Sequence, residues 1–279
     1  MTPARLDHIV INVRFEMNRA EQVFSGLGFC LTPRGHHTLG SVNHLMMFGQ
    51  DYLELIGLPA DAAAQRPEIA EAPRGLNGLV FKSDDIDATH AHLRAVGLAG
   101  DPPKSFSRPV FLSDGTARDA RFRTVAVRAD AFGVGRLYFC QHLTPELLWR
   151  AEWQTHANTA SGFAELVMVA EAPEAEATNL RRAIGAPEAD LAHPETTLIT
   201  LETGQRLRFL TPEAYARRYG DGARDLKGRT AMFGALHLHV TDLAGLDGIR
   251  PTPDITRYDR AGAVHIVLED FDTLLVFSQ

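Results

Sequence analysis

The strongest constraint on this chain is a plan that recurs along it: strand, acidic turn, helix, glycine. LDHIVINV (6–13) leads into the helical stretch EMNRAEQVFSGLGF (16–29), and GLVFKSDDIDATHAHLRAVGL (78–98) and FAELVMVAEAPEAEATNLRRAIGA (163–186) repeat the order. Counted from a matched strand position to the glycine closing each helix, His8 to Gly28, Gly78 to Gly97 and Glu165 to Gly185 are 20, 19 and 20 residues apart. A fourth copy, ALHLHVTDLAGLDGI (235–249), aligns at Val240 and Asp242 but has a much shorter helix. Each copy runs on into apolar stretches that read as strands, such as HLMMFG and YLELIGL, or RLYFCQH after TVAVRAD. A supersecondary unit repeated at fixed length dictates architecture more firmly than local propensity, because no unit can bury its apolar face alone. The expected class is α+β, built from four βαβββ units. Glycine is expected at the end of each helix, where a left-handed residue closes it without a Cβ clash.

Two of these strands place ionisable groups on chosen faces. By period-2 alternation His8 shares a face with Val10 and Asn12, and Glu54 shares one with Tyr52 and Ile56. A histidine and a carboxylate on two strands of one curved sheet can converge as half of a metal site or as an acid/base pair. Asn43 alternates with Leu45 and Met47, and its face is open. His36 and His37 fall in a turn.

Other features exclude function classes. GVGR (133–136) reads as a hairpin turn, since neither GxxxxGK[ST] nor GxGxxG is present, and GxSxG, HExxH and CxxC are missing too. A net charge of −7, with no basic run beyond Arg181/Arg182 and Arg217/Arg218, argues against nucleic acid. No apolar run approaches the roughly 18 residues of a membrane span, and MTPARLDHIV lacks a secretory pattern. Cys30 and Cys140 read as buried free thiols, which suits a reducing cytoplasm. Residues 59–75 read as the connection between the first two units, and residues 143–162 hold the expected domain boundary. Trp149 and Trp153, four apart, read as one helical face packing the interdomain surface. The polar segment 102–122, with Arg108, Arg118 and Arg121, reads as a flap over the first cup.

Four βαβββ units paired two by two resemble the vicinal oxygen chelate superfamily, which includes glyoxalase I, extradiol dioxygenases and bleomycin-resistance proteins. The first half is most similar to its glyoxalase-like branch, through LDHIVINV, GHHTLGSVNHLMMFGQDYLELIG and FCQHLTPELLW. The resemblance implies two curved-sheet cups: residues 1–150 as the functional one and 151–279 as a degenerate scaffold. It implies metal ligands from the first and last strands of the paired units, for a divalent ion such as Zn, Ni, Fe or Mn. His8 and Glu54 match that pattern. Gly78 stands where a second histidine would be, and Phe139 or Gln141 where a glutamate would be.

Three readings of this half-site stay open. A metal on His8 and Glu54 could be completed by His142, His44, Asn43, His36 or His37. A metal-free pair could have Glu54 orienting His8. Both could also be satisfied structural groups, Glu54 accepting from backbone or from Tyr52. Glu54 and His142 are the candidate catalytic groups, and Asn43, His37 and Gln141 the candidate substrate contacts. In the second half the matched positions hold Glu165 and Arg208, then Ala235, with His237, His239 and His265 as a displaced cluster; Glu165 and Arg208 are expected to pair. The resulting function is a glyoxalase-like protein binding a small oxygen-rich or aromatic molecule, as a metal-dependent lyase, isomerase or dioxygenase. The competing class is a non-catalytic sequestering protein. A small molecule is the expected partner, without nucleic acid or membrane, and with a homodimer as a compatible assembly.

Overall fold

The computed structural model describes residues 4–62, 66–112, 115–186 and 191–279, with the side chains of 191 and 192 left aside. The first unit is β1 (Leu6–Arg14), α1 (Met17–Gly26), β2 (Gly35–His36), β3 (Val42–Met47) and β4 (Tyr52–Gly57). A short helix, α2 (Pro67–Ala70), precedes the second: β5 (Gly75–Lys82), α3 (Ile86–Ala95), β6 (Lys104–Phe111), β7 (Ala117–Ala126) and β8 (Arg136–His142). The third is β9 (Ala160–Ala170), α4 (Pro173–Ile184), β10 (Leu191–His193), β11 (Thr196–Thr200) and β12 (Arg206–Leu210), followed by α5 (Pro212–Tyr219). The fourth is β13 (Ala231–Val240), a single 3-10 turn at Leu243–Leu246, β14 (Ile255–Arg260), β15 (Ala263–Leu268) and β16 (Thr273–Ser278).

Two eight-stranded sheets result, ordered β2-β3-β4-β1-β5-β8-β7-β6 and β10-β11-β12-β9-β13-β16-β15-β14. In every unit the first and last strands pair in parallel, and each sheet is joined at its centre by an antiparallel pair, β1 with β5 or β9 with β13. Parallel pairing requires a crossover, and the repeated helix begins it. Asp85 caps α3, its carboxylate accepting from the amides of Asp87 and Ala88 at 3.0 Å. The glycines after α1, α3 and α4 have φ of 85°, 72° and 64°, the left-handed conformation the repeat anticipates.

The helix-bearing faces of both sheets share one apolar cluster, which takes Ile9 and Ile11 from β1, Phe24 from α1, Leu180 from α4 and Phe277 from β16. Each sheet therefore turns its other face outward. In the first sheet that face is lined by Val10, Leu45, Tyr52, Val80, Phe122 and Cys140. In the second it is filled by α5. Tyr215 and Tyr219 pack on Val167, Val169 and Val276, and the Tyr215 hydroxyl donates to the Gly234 carbonyl at 2.8 Å. A Cβ at Gly234 would lie 2.7 Å from the Tyr215 ring, so glycine is what lets the helix sit this deep.

Two expectations about loops are overturned. Segment 102–122 is no flap: β6 and β7 are the outer hairpin of the first sheet, and the alternation of Phe106, Arg108 and Val110 builds the cup wall. Trp149 and Trp153 share no helical face, since residues 145–153 form two separate 3-10 turns. Both pack with the first cup, and Trp149 meets His142 edge-on at 4.9 Å.

The connection between the sheets is tied down by His156, which is 4% exposed. Its Nδ1 accepts from the Cys30 amide at 2.9 Å, which leaves the proton on Nε2 to be donated to the Met47 carbonyl at 3.0 Å. Burial lowers its pKa and keeps the ring in this neutral form. His156→Phe would keep the edge contacts with Phe29 and Phe48 but orphan both backbone groups. A loss of about 2 kcal/mol in a denaturant titration is expected.

Candidate active site

Seven side chains form a polar row across the first cup. His37 Nδ1 meets Ser41 Oγ at 2.8 Å, and Asn43 Nδ2 bridges His37 Nε2 at 3.2 Å and Glu54 Oε1 at 2.7 Å. Glu54 Oε2 faces His8 Nε2 at 3.5 Å. His8 Nδ1 lies 2.8 Å from Asp7 Oδ2, which also takes His142 Nε2 at 2.8 Å. Burial depresses His37, with Arg108 and Arg66 adding to the effect, to about 3, so its ring is neutral. Because the Asn43 amide can only donate, His37 Nε2 accepts and its Nδ1 proton goes to Ser41.

Asp7 was not legible as part of the site. Alternation sets it opposite His8, but the register of β1 against β5 slips between Leu6 and His8, and both residues reach cup-side groups. Asp7 is fully buried. Burial alone would raise its pKa, yet the imidazoles of His142 and His8 outweigh it and hold the carboxyl well below the usual range. An ionised Asp7 keeps the proton of His8 on Nδ1 and turns Nε2 toward Glu54 and the Tyr138 hydroxyl, 3.5 Å away. Tyr52 stacks on the ring at 4.4 Å and 13°, which fixes its plane.

The other expected groups separate. His8, Glu54, Asn43 and His37 line one cavity of about 770 Å³. Gln141 lies on the opposite face of β8, donating to the Asp84 carbonyl at 2.8 Å, and Phe139 belongs to the helix-side core. Tyr138 and Cys140 line the cavity instead, with Arg136 and Leu137 at the start of the same strand. His142 does not meet Glu54; it sits behind Asp7. His44 points to the helix side, its Nδ1 bonded to the Thr32 carbonyl at 2.8 Å and its Nε2 3.4 Å from Glu21. In the second sheet the histidines make no ligand cluster among the described residues. His237 Nε2 and the Tyr219 hydroxyl share a hydrogen bond at 2.7 Å, His265 stacks on Tyr258, and His239 is exposed. Arg208 does meet Glu165, as a fork at 3.0 Å through both Nε and Nη2.

The sequence profile of the glyoxalase-like domain family matches residues 6–184, well over half the chain. The chain belongs to that family. No curated protein sequence matches it. Among solved structures it is similar to a hypothetical protein from Staphylococcus aureus (TM-score 0.68, 10% identity, 99% of each chain covered). It is also similar to a mutant of 4-hydroxymandelate synthase from Streptomyces coelicolor (TM-score 0.62, 12% identity, 99% of this chain and 92% of that one). A xylose isomerase-like TIM barrel/4-hydroxyphenylpyruvate dioxygenase fusion protein matches over 49% of its own length and 99% of this chain (TM-score 0.59, 11% identity). At these identities the structures share the fold. No helix among the described residues is long and apolar enough to cross a membrane.

This glyoxalase-like chain offers a divalent ion less than the sequence resemblance implies. Asp7, Cys140 and His142 place ligand atoms within 4.8 Å of one another, a grouping that could hold an ion. Lys82 Nζ already stands 3.0 Å from Asp7 Oδ1, in an ion pair not aligned as a hydrogen bond, and Asp7 Oδ2 is shared by two imidazoles. Burial pushes the Cys140 thiol well above its ordinary pKa, with Asp7 and Glu54 adding to the shift. At the positions the resemblance points to, His8 and Glu54 supply two donors. A side chain at Gly78 would begin 3.0 Å from Val10 and 3.6 Å from the Tyr138 ring, so a second histidine there would have to displace Val10. His8 and Glu54 alone fall short of a divalent-metal set, and the Asp7, Cys140 and His142 grouping is already engaged by Lys82 and the His8 ring.

Proposed function

We propose that the first cup of this glyoxalase-like protein, within residues 1–150, binds a small molecule and moves a proton on it, as in a metal-independent isomerase or lyase. The observation that carries this reading is the buried Asp7–His8 dyad aimed at Glu54 on the wall of the cavity. A carboxylate on Nδ1 fixes the tautomer and points the unprotonated Nε2 into the cavity. His8 Nε2 would take a proton from the carbon next to a substrate carbonyl, the electron pair passing to the carbonyl oxygen, and return it at the neighbouring atom, with Asp7 as positioning residue and Glu54 as second proton carrier. The hydrogen bond from Asn43 holds Glu54 in place for that role. The second sheet, within residues 151–279, would act as scaffold, in keeping with α5 filling its outer face.

The apolar and aromatic wall of the cup supports a second reading, retention of a ligand without turnover. Incubation of the protein in deuterated water with a small-molecule extract separates the two. Under the first reading a compound gains deuterium or isomerises, and the change is lost in His8→Ala and Glu54→Gln. A compound that is retained unchanged points to the second. Elemental analysis of protein purified without chelators is expected to show substoichiometric metal; one ion per chain, lost on His8→Ala, would replace both readings with a metal-dependent one.

A further inference from the structure

Arg108 is the least explained group in the cup. It is 3% exposed, and its Nε and Nη2 are buried without a hydrogen-bond partner. A guanidinium carries its charge at all accessible pH and is almost never buried unpaired. Glu54 acts on it across the cavity, but no ion pair joins them among the described residues. The other cations of the cavity wall are engaged: Arg66 with Glu68, Lys104 with Asp101 and Arg128 with Asp130. Arg136 donates Nε to Asn77 at 3.0 Å and also leaves a buried Nη2 unpartnered.

The unpartnered atoms of Arg108 define the shape of what is missing. Nε and Nη2 form the edge of a guanidinium whose two N–H bonds run parallel, at the spacing of the two oxygens of a carboxylate. The chain uses that edge in this way elsewhere, since Arg208 binds Glu165 through the same two atoms at 3.0 Å each. One pleat from Arg108, Phe106 stacks on Phe122 at 5.1 Å and 23°, an aromatic surface for the body of a ligand. His8 and Glu54 line the same cavity.

We infer that the cup selects an organic carboxylate, its carboxyl group seated on the Nε/Nη2 edge of Arg108, its apolar or aromatic body on Phe106 and Phe122 and its reacting end toward His8. The inference rests on the proposed function for the cavity and names the class of compound that enters it. Arg108 is in these terms a specificity-determining residue. Placing the charge in the protein before the ligand arrives penalises neutral analogues, which leave the guanidinium unsatisfied.

The test uses thermal shift with a panel of aryl and alkyl carboxylates, from acetate through phenylacetate to naphthoate, each beside its uncharged amide at equal concentration. At least one carboxylate is expected to raise Tm by several degrees at 20 mM, while its amide raises it by less than one degree. The carboxylate response should vanish in Arg108→Met and be weaker in Arg108→Lys, which keeps the charge without the fork. Ligand-free Arg108→Met is expected to melt at or above the wild-type Tm, because an unsatisfied charge has been exchanged for an apolar chain. Amides as effective as carboxylates, a carboxylate response that survives in Arg108→Met, no response to any carboxylate, or a ligand-free Arg108→Met that melts several degrees lower would each overturn the inference. None of these readouts needs turnover. Loss of the carboxylate response therefore bears on Arg108, and deuterium exchange that persists in His8→Ala bears on the proton-transfer reading.

Discussion

Asp7→Asn is expected to lower Tm by about 10 °C. Asp7 is fully buried and serves three partners, the imidazoles of His8 and His142 at 2.8 Å and the Lys82 ammonium at 3.0 Å. An asparagine of the same shape can accept on one atom only and presents an N–H where an acceptor is needed. Lys82, 18% exposed at its side chain, would stand over the Trp149 ring at 4.1 Å with no carboxylate beside it. Removing one partner of a buried charged cluster costs about 3–5 kcal/mol, and each kcal/mol moves Tm by roughly 2–4 °C for a chain somewhat smaller than this one. Adding Lys82→Met should restore part of the loss, since the orphaned ammonium goes with it. Differential scanning calorimetry of the three variants measures this, and an Asp7→Asn protein melting within 2 °C of wild type would show that the cluster contributes little.

The second large effect belongs to the outward face of the other sheet. Glu165, 1% exposed at its side chain, is gripped by the Arg208 fork, by Arg206 at 2.9 Å and by Arg218 at 2.7 Å. Burial would raise its pKa, but Arg208, Arg218 and His237 together override that and hold it at about 2, against an ordinary value of 4.5. The folded-state pKa lies below the unfolded one, so the stabilisation is complete above pH 4.5 and is lost as pH falls toward 2. The difference corresponds to about 3 kcal/mol at neutral pH. Glu165→Gln should therefore be about that much less stable at pH 7, and its stability should fall less steeply than that of wild type between pH 4.5 and 2. Arg208→Met should cost less than Glu165→Gln, because Arg206 and Arg218 still hold the carboxylate. The double variant should lose less than the sum of the two singles. Urea titrations across pH decide it, and strictly additive losses would show that the two groups act independently.

Much of the architecture was legible in the chain itself. The spacing of His8 to Gly28, Gly78 to Gly97 and Glu165 to Gly185 identifies repeated units because the first three share a strand and a helix of similar length, and a left-handed glycine marks the helix end. Period-2 alternation gave His8 and Glu54 each a strand face from which they could converge, and the sheet brings them to 3.5 Å; the same repeat paired Glu165 with Arg208. Local pattern failed where the outcome depended on the exact register of a partner strand. Whether Phe139 and Gln141 or Tyr138 and Cys140 face the cup is a matter of register, and a slip of one residue exchanges the two faces. The bulge that brings Asp7 beside His142 exists only in the pairing of β1 with β5. The burial of Arg108 follows from β6 and β7 closing the sheet, and the filling of the second cup from α5 folding back on it. Repeat length and alternation, being properties of consecutive residues, were determined by the sequence alone. Which charges ended up buried, and beside whom, was decided by contacts between residues as far apart as Asp7 and His142, and only the tertiary structure makes those.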